Sequence, residues 1–461
     1  MAVEEGKSCC VVLVPSPFQG HITPMLQLAS LLHAKGFSIV INHSELNPPD
    51  SSKHPEFTFF PLKDGLSNNN PSFLNLFDII PEMNVNCRVP FRDYLVQMME
   101  KPEIYGQISC IVYDHLMYFT TEVAVHLKLP TILLRASSCA YMEAVCAFFA
   151  LKAENYFPLP ESQLLDPVPK VPILRFKDLP FDLISEIPEP KLQLFEKVVN
   201  LGFSVAIIFN TIKNLENHAL SWLQKHYRVP IFTIGPLHKI ASSQTSLVEE
   251  DTSCISWLNT QAPNSVLYVS IGSIVVMDKN EFIETAWGLF NSNQSFLWVV
   301  RPSSIEHDLP DGYLEAVGDR GRIVKWAPQK EVLAHPAVGG FWSHCGWNST
   351  LESILEGVPM ICRPCFGDQN VNARYLTHVW KVGLEIGPDD LTRCVIASAI
   401  RKLMVEEEGK ELRQRVLDMK QKLQMSFRDG GSSHNSLKSL TEFISSRVCH
   451  YYKNRNERRT N

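Results

Sequence analysis

The sequence predicts an α/β protein built from two doubly wound domains, each a parallel sheet covered by helices. Three observations predict it. Short continuous apolar runs of strand length recur along the chain, as strands buried on both faces require. Segments of helical period separate them, and the alternation restarts after residue 255. At roughly 100–200 residues per domain, 461 residues leave room for at least two such units.

The first domain is expected over residues 1–235. Its strands are read at Val11–Val14, Ile39–Ile41, Ile111–Val112, Ile132–Leu134 and Ile207–Phe209. Pro24 reads as a helix start, with Met25, Leu28, Ala29 and Leu32 at i, i+3, i+4 and i+7 and Gly36 as the stop. The stretch Ala241–Ser246 followed by Glu249–Asp251 is small and polar, so 236–254 reads as a linker. The second domain, 255–432, offers strands at Val266–Val269, Phe296–Val300, Ile323–Val324, Val338–Trp342 and Val358–Ile361. Asn68–Pro71 reads as a loop and Phe157–Pro190 as irregular chain with short helices, while the polar, basic residues 449–461 read as a disordered tail.

Composition excludes several function classes. With 45% hydrophobic and 20% charged residues the chain can bury large cores. The 43 basic and 49 acidic residues give a net charge of −6, and neither half is basic, which argues against nucleic acid or an anionic membrane as partner. No apolar run reaches the roughly 18 residues of a membrane span, and the acidic start Met-Ala-Val-Glu-Glu does not resemble a signal peptide. A cytoplasmic, monomeric protein is the expectation. Its 12 scattered cysteines then read as reduced thiols, mostly in the core.

Motif spacing removes other chemistries. There is no G-x-G-x-x-G after a strand, no P-loop, no G-x-S-x-G and no H-E-x-x-H. The absence of D-x-D leaves no obvious carboxylate pair for a metal on a nucleotide diphosphate. Cys362-Arg-Pro-Cys365 has thioredoxin-like spacing, but with no second pair the plainer reading is loop and core cysteines.

The densest signal runs from Trp326 to Gln369. Ser343-His344-Cys345-Gly346-Trp347-Asn348-Ser349-Thr350 is a polar turn leaving a strand and opening a helix that should start near Leu351. Backbone N–H groups and the positive end of the helix dipole make such a turn an anion site suited to a diphosphate. His344, Asn348 and Ser349 add side-chain donors, and Glu352, on the same helix face as Ser349, can accept from two vicinal hydroxyls of a ribose. Trp326 offers a flat ring for a base, and Asp368 and Gln369 bring acceptors and donors to a polyol such as a sugar. Singly, Asn348 and Ser349 could be helix caps and Trp326 core; the set together argues for a site.

This segment closely resembles the signature box of plant small-molecule UDP-glycosyltransferases, across all of its 44 positions. Pro17-Phe-Gln-Gly-His-Ile22 and Tyr268-Val-Ser-Ile-Gly-Ser273 extend the likeness over nearly the whole chain. The resemblance implies a GT-B fold of two facing Rossmann-like domains, acceptor on the first and UDP-sugar on the second, with a final helix within 433–448 returning to the first domain. By position it implies that Trp326 stacks on uracil, that the Ala327 backbone bonds the base edge, and that Gln329 approaches the ribose held by Glu352. His344, Asn348, Ser349 and Ser273 would then meet the phosphates, and Trp347, Asp368 and Gln369 the sugar. Trp347 and Gln369 imply UDP-glucose as donor.

The resemblance makes His21 a general base and Asp114 its partner, an arrangement in which the carboxylate fixes the imidazole tautomer and stabilises the imidazolium. An imidazole, with an ordinary pKa of about 6.5, suits the removal of a hydroxyl proton at neutral pH. His115 is a bystander in this reading. Two positions depart from the family pattern: Ala136 where Thr is frequent, which loosens donor choice toward sugars such as xylose, and Ile271 where Phe is usual, which changes packing under the phosphate loop. The expected activity is therefore inverting, metal-independent and cofactor-free transfer of glucose from UDP-glucose to a hydroxyl of a small apolar metabolite such as a phenolic or terpenoid. Tyr141, Met142, Phe148 and Phe149, with the 66–95 region, are candidates for the acceptor pocket. The rivals are a non-catalytic UDP-sugar-binding protein, a transferase using another UDP-sugar, and thiol redox at Cys362 and Cys365.

Overall fold

Every apolar run named above overlaps a parallel strand, although Val300 lies just past its strand and Val358 just before its own. A computed structural model of the chain describes residues 9–66, 76–241, 246–301, 309–387 and 390–457. In chain order the strands are β1 (Cys9–Val14), β2 (Ser38–Ser44), β3 (Thr58–Leu62), β4 (Gln107–Asp114), β5 (Thr131–Arg135), β6 (Pro167–Val168), β7 (Val171–Arg175), β8 (Ala206–Phe209), β9 (Ile231–Thr233), β10 (Val266–Ser270), β11 (Ser295–Val299), β12 (Gly321–Val324), β13 (Val338–Ser343), β14 (Met360–Cys362) and β15 (Gly383–Glu385). Seven make one sheet in the order β3-β2-β1-β4-β5-β8-β9, and six a second in the order β12-β11-β10-β13-β14-β15. All pairings in both sheets are parallel.

The chain divides into two units. One comprises Met1–Met142, Ile187–Leu247 and Ser426–Asn461; the other comprises Glu143–Glu186 and Val248–Met425. The expected first domain, 1–235, thus differs over 143–186, which groups with the second unit. The physical reason lies in that segment's own core: Phe148 packs on Phe149, Phe157 and Phe181 at centroid distances of 5.2, 5.2 and 4.6 Å, and Arg175 reaches Glu385 at the end of β15. Phe148 is therefore a fully buried core ring. The same segment, expected to be irregular, also contains the antiparallel β6–β7 hairpin.

In the first unit, Val11, Leu13, Ile39 and Ile41 of adjacent strands meet Met25, Leu28, Ala29 and Leu32 of the Gln19–His33 helix, completing a face that also takes in Leu437, Leu440 and Ile444. Burying a Leu or Ile side chain contributes roughly 1.5–3 kcal/mol. The helix bearing those last three residues spans Ser432–Glu457, longer than the expected 433–448 and running into the segment expected to be disordered; residues 458–461 lie outside the described residues. In the second unit Leu267, Val269, Phe296, Trp298 and Trp342 meet Phe282, Ala286, Leu289, Ile396 and Ile400.

Pro24 does not start its helix. It is the sixth residue of Gln19–His33, and the first turn is set by Phe18, whose carbonyl accepts from the N–H groups of His21 and Ile22 at 2.8 and 2.9 Å. The expected linker includes the short helix Leu237–Ile240 and the start of Ser253–Leu258, while its residues 242–245 lie outside the described residues, as does the Asn68–Pro71 loop.

Candidate functional site

In a parallel sheet the chain leaves the carboxyl ends of the strands, and a crevice opens where successive connections run to opposite sides. In the first sheet that point lies between β1 and β4, because the chain goes from β1 outward through β2 and β3, then returns to β4 on the other side of β1. His21, in the first turn after β1, and Asp114, the last residue of β4, flank it.

The two side chains meet there. His21 Nδ1 donates to Asp114 Oδ2 at 2.9 Å, and Asp114 Oδ1 accepts from the Leu116 N–H at 3.0 Å. The carboxylate is fully buried, whereas the imidazole keeps 23% of its surface exposed. Burial by itself would raise the Asp114 pKa, but the adjacent His21 imidazole and the Leu116 N–H outweigh it and hold the carboxyl well below the usual range. An ionised Asp114 accepts only, so the His21 proton resides on Nδ1 and Nε2 carries the lone pair. His115, the next residue, is buried with its ring centroid 5.2 Å from that of His21, and burial pushes its pKa down to about 3 against the pull of Asp114.

The second sheet has its own reversal between β10 and β13. Ser270 and Ser343 are paired at the ends of these strands, and the loops that follow carry Ser273 and His344. The helix after β13 begins at Trp347, not near Leu351, and runs to Glu356. Its N-cap is Gly346, which has no side chain to cap with, so neither Asn348 nor Ser349 has the role of cap; both lie in the first helical turn.

The His344 ring fits between two glycines. A Cβ on Gly272, whose φ is +79°, would lie 2.6 Å from the ring's Cε1 and Nε2, and one on Gly346 would clash with Nε2. Burial, reinforced by Arg301, lowers the His344 pKa to about 4 although the Ser270 backbone pulls the other way, so the ring is a neutral group at physiological pH. Arg301 is a residue that the sequence reading missed. Its guanidinium donates to the carbonyls of Ser273 at 2.7 Å and Val275 at 2.6 Å, pinning the loop that carries Ser273. The available signal was a lone cation at the end of an apolar strand. Ile271 is buried in the core beneath this loop.

Gln329, Ser349 and Glu352 come together. Gln329 Nε2 donates to Glu352 Oε2 at 2.7 Å and to Ser349 Oγ at 2.9 Å, and the Tyr268 hydroxyl donates to Gln329 Oε1 at 3.3 Å. Trp326 and Ala327 precede Gln329 in the loop after β12; Trp326 is half-buried, its carbonyl accepting from Asp251 N at 2.9 Å, and Ala327 is buried. In the loop after β14, Asp368 is the N-cap residue of Gln369–Arg374, and its Oδ2 accepts from Asn372 Nδ2 at 2.8 Å. Gln369 Oε1 accepts from the N–H groups of Cys365 and Phe366 at 2.8 and 3.1 Å. Trp347 is only 3% exposed, its ring beside Trp380.

The Cys362 and Cys365 pair lacks the features of a redox centre. Cys362 is fully buried in β14, and burial raises the Cys365 pKa despite Arg363, whose Nη1 donates to its sulfur at 2.9 Å. Reactive thiols have the opposite shift. Among the described residues every cysteine is a free thiol, and no helix is long and apolar enough to cross a membrane.

Comparison with known proteins agrees with this arrangement. Residues 75–420 match the family model for UDP-glucoronosyl and UDP-glucosyl transferase. The chain is 54% identical over 453 residues to UDP-glycosyltransferase 76E1 of Solanum lycopersicum, covering 96% of this chain and 94% of the relative. It is 46% identical to flavonol 3-O-glucosyltransferase UGT76E12 of Arabidopsis thaliana, covering 94% and 96%. Among solved structures it is similar to Phytolacca americana UGT2 complexed with UDP-2fluoro-glucose and pterostilbene, with a TM-score of 0.82 at 26% identity over 95% of this chain and 99% of the other. The two Rossmann-like units, each with its polar residues gathered at a strand-order reversal, and these likenesses over nearly the full length make the chain a member of the UDP-glucoronosyl and UDP-glucosyl transferase family, a UDP-glycosyltransferase.

Proposed function

We propose that this enzyme transfers glucose from UDP-glucose to a hydroxyl of a small apolar plant metabolite, a phenolic or terpenoid, with inversion at the anomeric carbon and without a metal ion or other cofactor. The observation that carries the reading is the His21–Asp114 pair, a partly exposed imidazole oriented by a fully buried, ionised carboxylate. A protein that only bound UDP-sugars would have no use for it. His21 Nε2 takes the proton of the acceptor hydroxyl as the oxygen attacks the anomeric carbon, and Asp114 stabilises the imidazolium that forms.

The second unit receives the departing UDP. Its backbone N–H groups at the Trp347–Glu356 helix start, with Ser273, His344, Asn348 and Ser349, meet the diphosphate, where negative charge develops. His344 acts there as a neutral donor. Glu352 and Gln329 hold the ribose, Trp326 and Ala327 the uracil, and Trp347, Asp368 and Gln369 the glucose. The names of the relatives support glucose as the sugar and a flavonol-like phenolic as one acceptor type. A cytoplasmic location agrees with the free thiols of the described residues. The test is an acceptor screen with UDP-glucose and an EDTA-treated enzyme, read by mass spectrometry for a hexosyl mass gain and by NMR for a β-linkage. No product with any hydroxyl acceptor, or a requirement for added divalent ion, refutes it.

A further inference from the structure

His115 is not used by the proposed reaction, yet it sits beside the two residues that are. Its ring is tilted 41° to that of His21, and its Nδ1 is buried without a hydrogen-bond partner. The Asp114 carboxylate faces both imidazoles, with Oδ2 2.9 Å from His21 Nδ1 and Oδ1 3.8 Å from His115 Nδ1. One ligand atom from each of the three residues falls within 4.8 Å of the other two. We propose that His21, Asp114 and His115 form a binding site for a first-row divalent cation, with zinc as the reference ion, and that its occupancy inhibits transfer.

The donor set selects the metal. Two imidazole nitrogens and one carboxylate oxygen suit Zn²⁺ or Cu²⁺, whereas Mg²⁺ and Ca²⁺ need more oxygen ligands than these side chains supply. Metal–ligand bonds of about 2.0–2.2 Å place donor atoms roughly 3–3.5 Å apart in a tetrahedral arrangement; His21 Nδ1 lies 2.9 Å from Asp114 Oδ2 and His115 Nδ1 3.8 Å from Asp114 Oδ1, so a cation has to draw the three side chains together.

Binding changes one tautomer and leaves the proton count unaltered. The cation takes the His21 Nδ1 lone pair, so the ring proton moves to Nε2. That nitrogen then has no lone pair to offer an acceptor hydroxyl. The inhibitory consequence rests on the assignment of His21 as base; the binding itself does not.

The test uses the full-length enzyme freed of metal with EDTA and returned to a non-coordinating buffer. Calorimetry with ZnCl₂ and no substrates is expected to show one ion per chain, lost in His21→Ala. In His115→Gln, turnover without zinc stays near wild type, while zinc binding and zinc inhibition both weaken by about tenfold or more, the scale for disturbing a metal site. Inhibition is reversed by EDTA. Equal zinc affinity in wild type and His115→Gln overturns the site, as does a wild type that binds none. If the variant does not fold, Co²⁺ added to the unaltered enzyme decides: a visible ligand-field spectrum of a low-coordinate site, displaced by Zn²⁺, supports the proposal, and its absence refutes it. Zinc that binds at this site but leaves transfer unchanged refutes the inhibition, and a His21→Ala enzyme with normal turnover would trace that failure to the base assignment.

Discussion

Gln329 donates its side-chain amide to Glu352 Oε2 at 2.7 Å, across the reach from the loop after β12 to the helix after β13. The same amide holds Ser349, and Tyr268 bonds its carbonyl, so the Glu352 carboxylate is oriented before any ligand arrives. In the proposed function such preorganisation spares Glu352 the cost of being ordered when the ribose binds. Glu352→Ala is expected to weaken UDP binding by about 1.5–3 kcal/mol, the range for hydrogen bonds to a charged group, whatever sugar is attached. Calorimetry with UDP alone checks it, and an unchanged dissociation constant takes Glu352 out of the site.

His21→Ala should lower kcat by roughly 10²–10⁴ while UDP affinity stays near wild type, because its proposed role is proton transfer and not donor binding. Normal turnover of a hydroxyl acceptor would remove His21 from the mechanism.

Asp114→Asn keeps the shape of the pair but offers His21 an amide that can donate, which favours the tautomer with the proton on Nε2. The loss of kcat should approach that of His21→Ala, up to about 10⁴, with the double variant little worse than either single one. Multiplicative losses in the double variant would mean the two residues act separately.

Both sheets and the residues at their reversals were legible in the sequence, because a parallel strand buried on two faces is a continuous apolar run and Rossmann-like connections put polar residues at strand ends. Edge strands were less so. β3 contains Pro61 and β15 is only Gly383–Glu385, so neither has an apolar run long enough to read. The β6–β7 hairpin was hidden by prolines, and the grouping of 143–186 with the second unit depends on contacts such as Phe148–Phe181 and Arg175–Glu385 that no local pattern encodes. The roles of Gln329 and Arg301 as braces were equally illegible, since a brace is defined by its partner's position.

Gly272→Ala tests the fit around His344. The added methyl meets the ring at 2.6 Å, and φ of +79° is itself strained for alanine. We expect destabilisation of about 1–3 kcal/mol and weaker UDP-glucose binding as the ring is displaced. Gly318→Ala, at φ +53° with nothing within 4 Å, serves as the control that carries backbone strain without the clash. Equal effects of the two on UDP-glucose KM would show that His344 placement does not matter.

The depressed His344 pKa makes a prediction about acid stability, and its sign follows from proton counts. In the unfolded chain a histidine titrates near 6.5, whereas His344 in the folded unit titrates at about 4. Between those values the unfolded state binds more protons, so stability falls as pH drops from about 6.5 toward 4 and levels off below. The contribution is on the order of 3 kcal/mol. Asp114 acts in a different window: its carboxyl is held below the usual range, so its stabilisation is present above about pH 4 and is lost only at stronger acid. Urea unfolding of wild type and His344→Asn at several pH values between 4 and 7 separates them. The variant should lose part of the acid sensitivity in that interval while the loss at still lower pH remains. Parallel pH profiles for the two proteins would mean that His344 is protonated as readily in the folded chain as in the unfolded one.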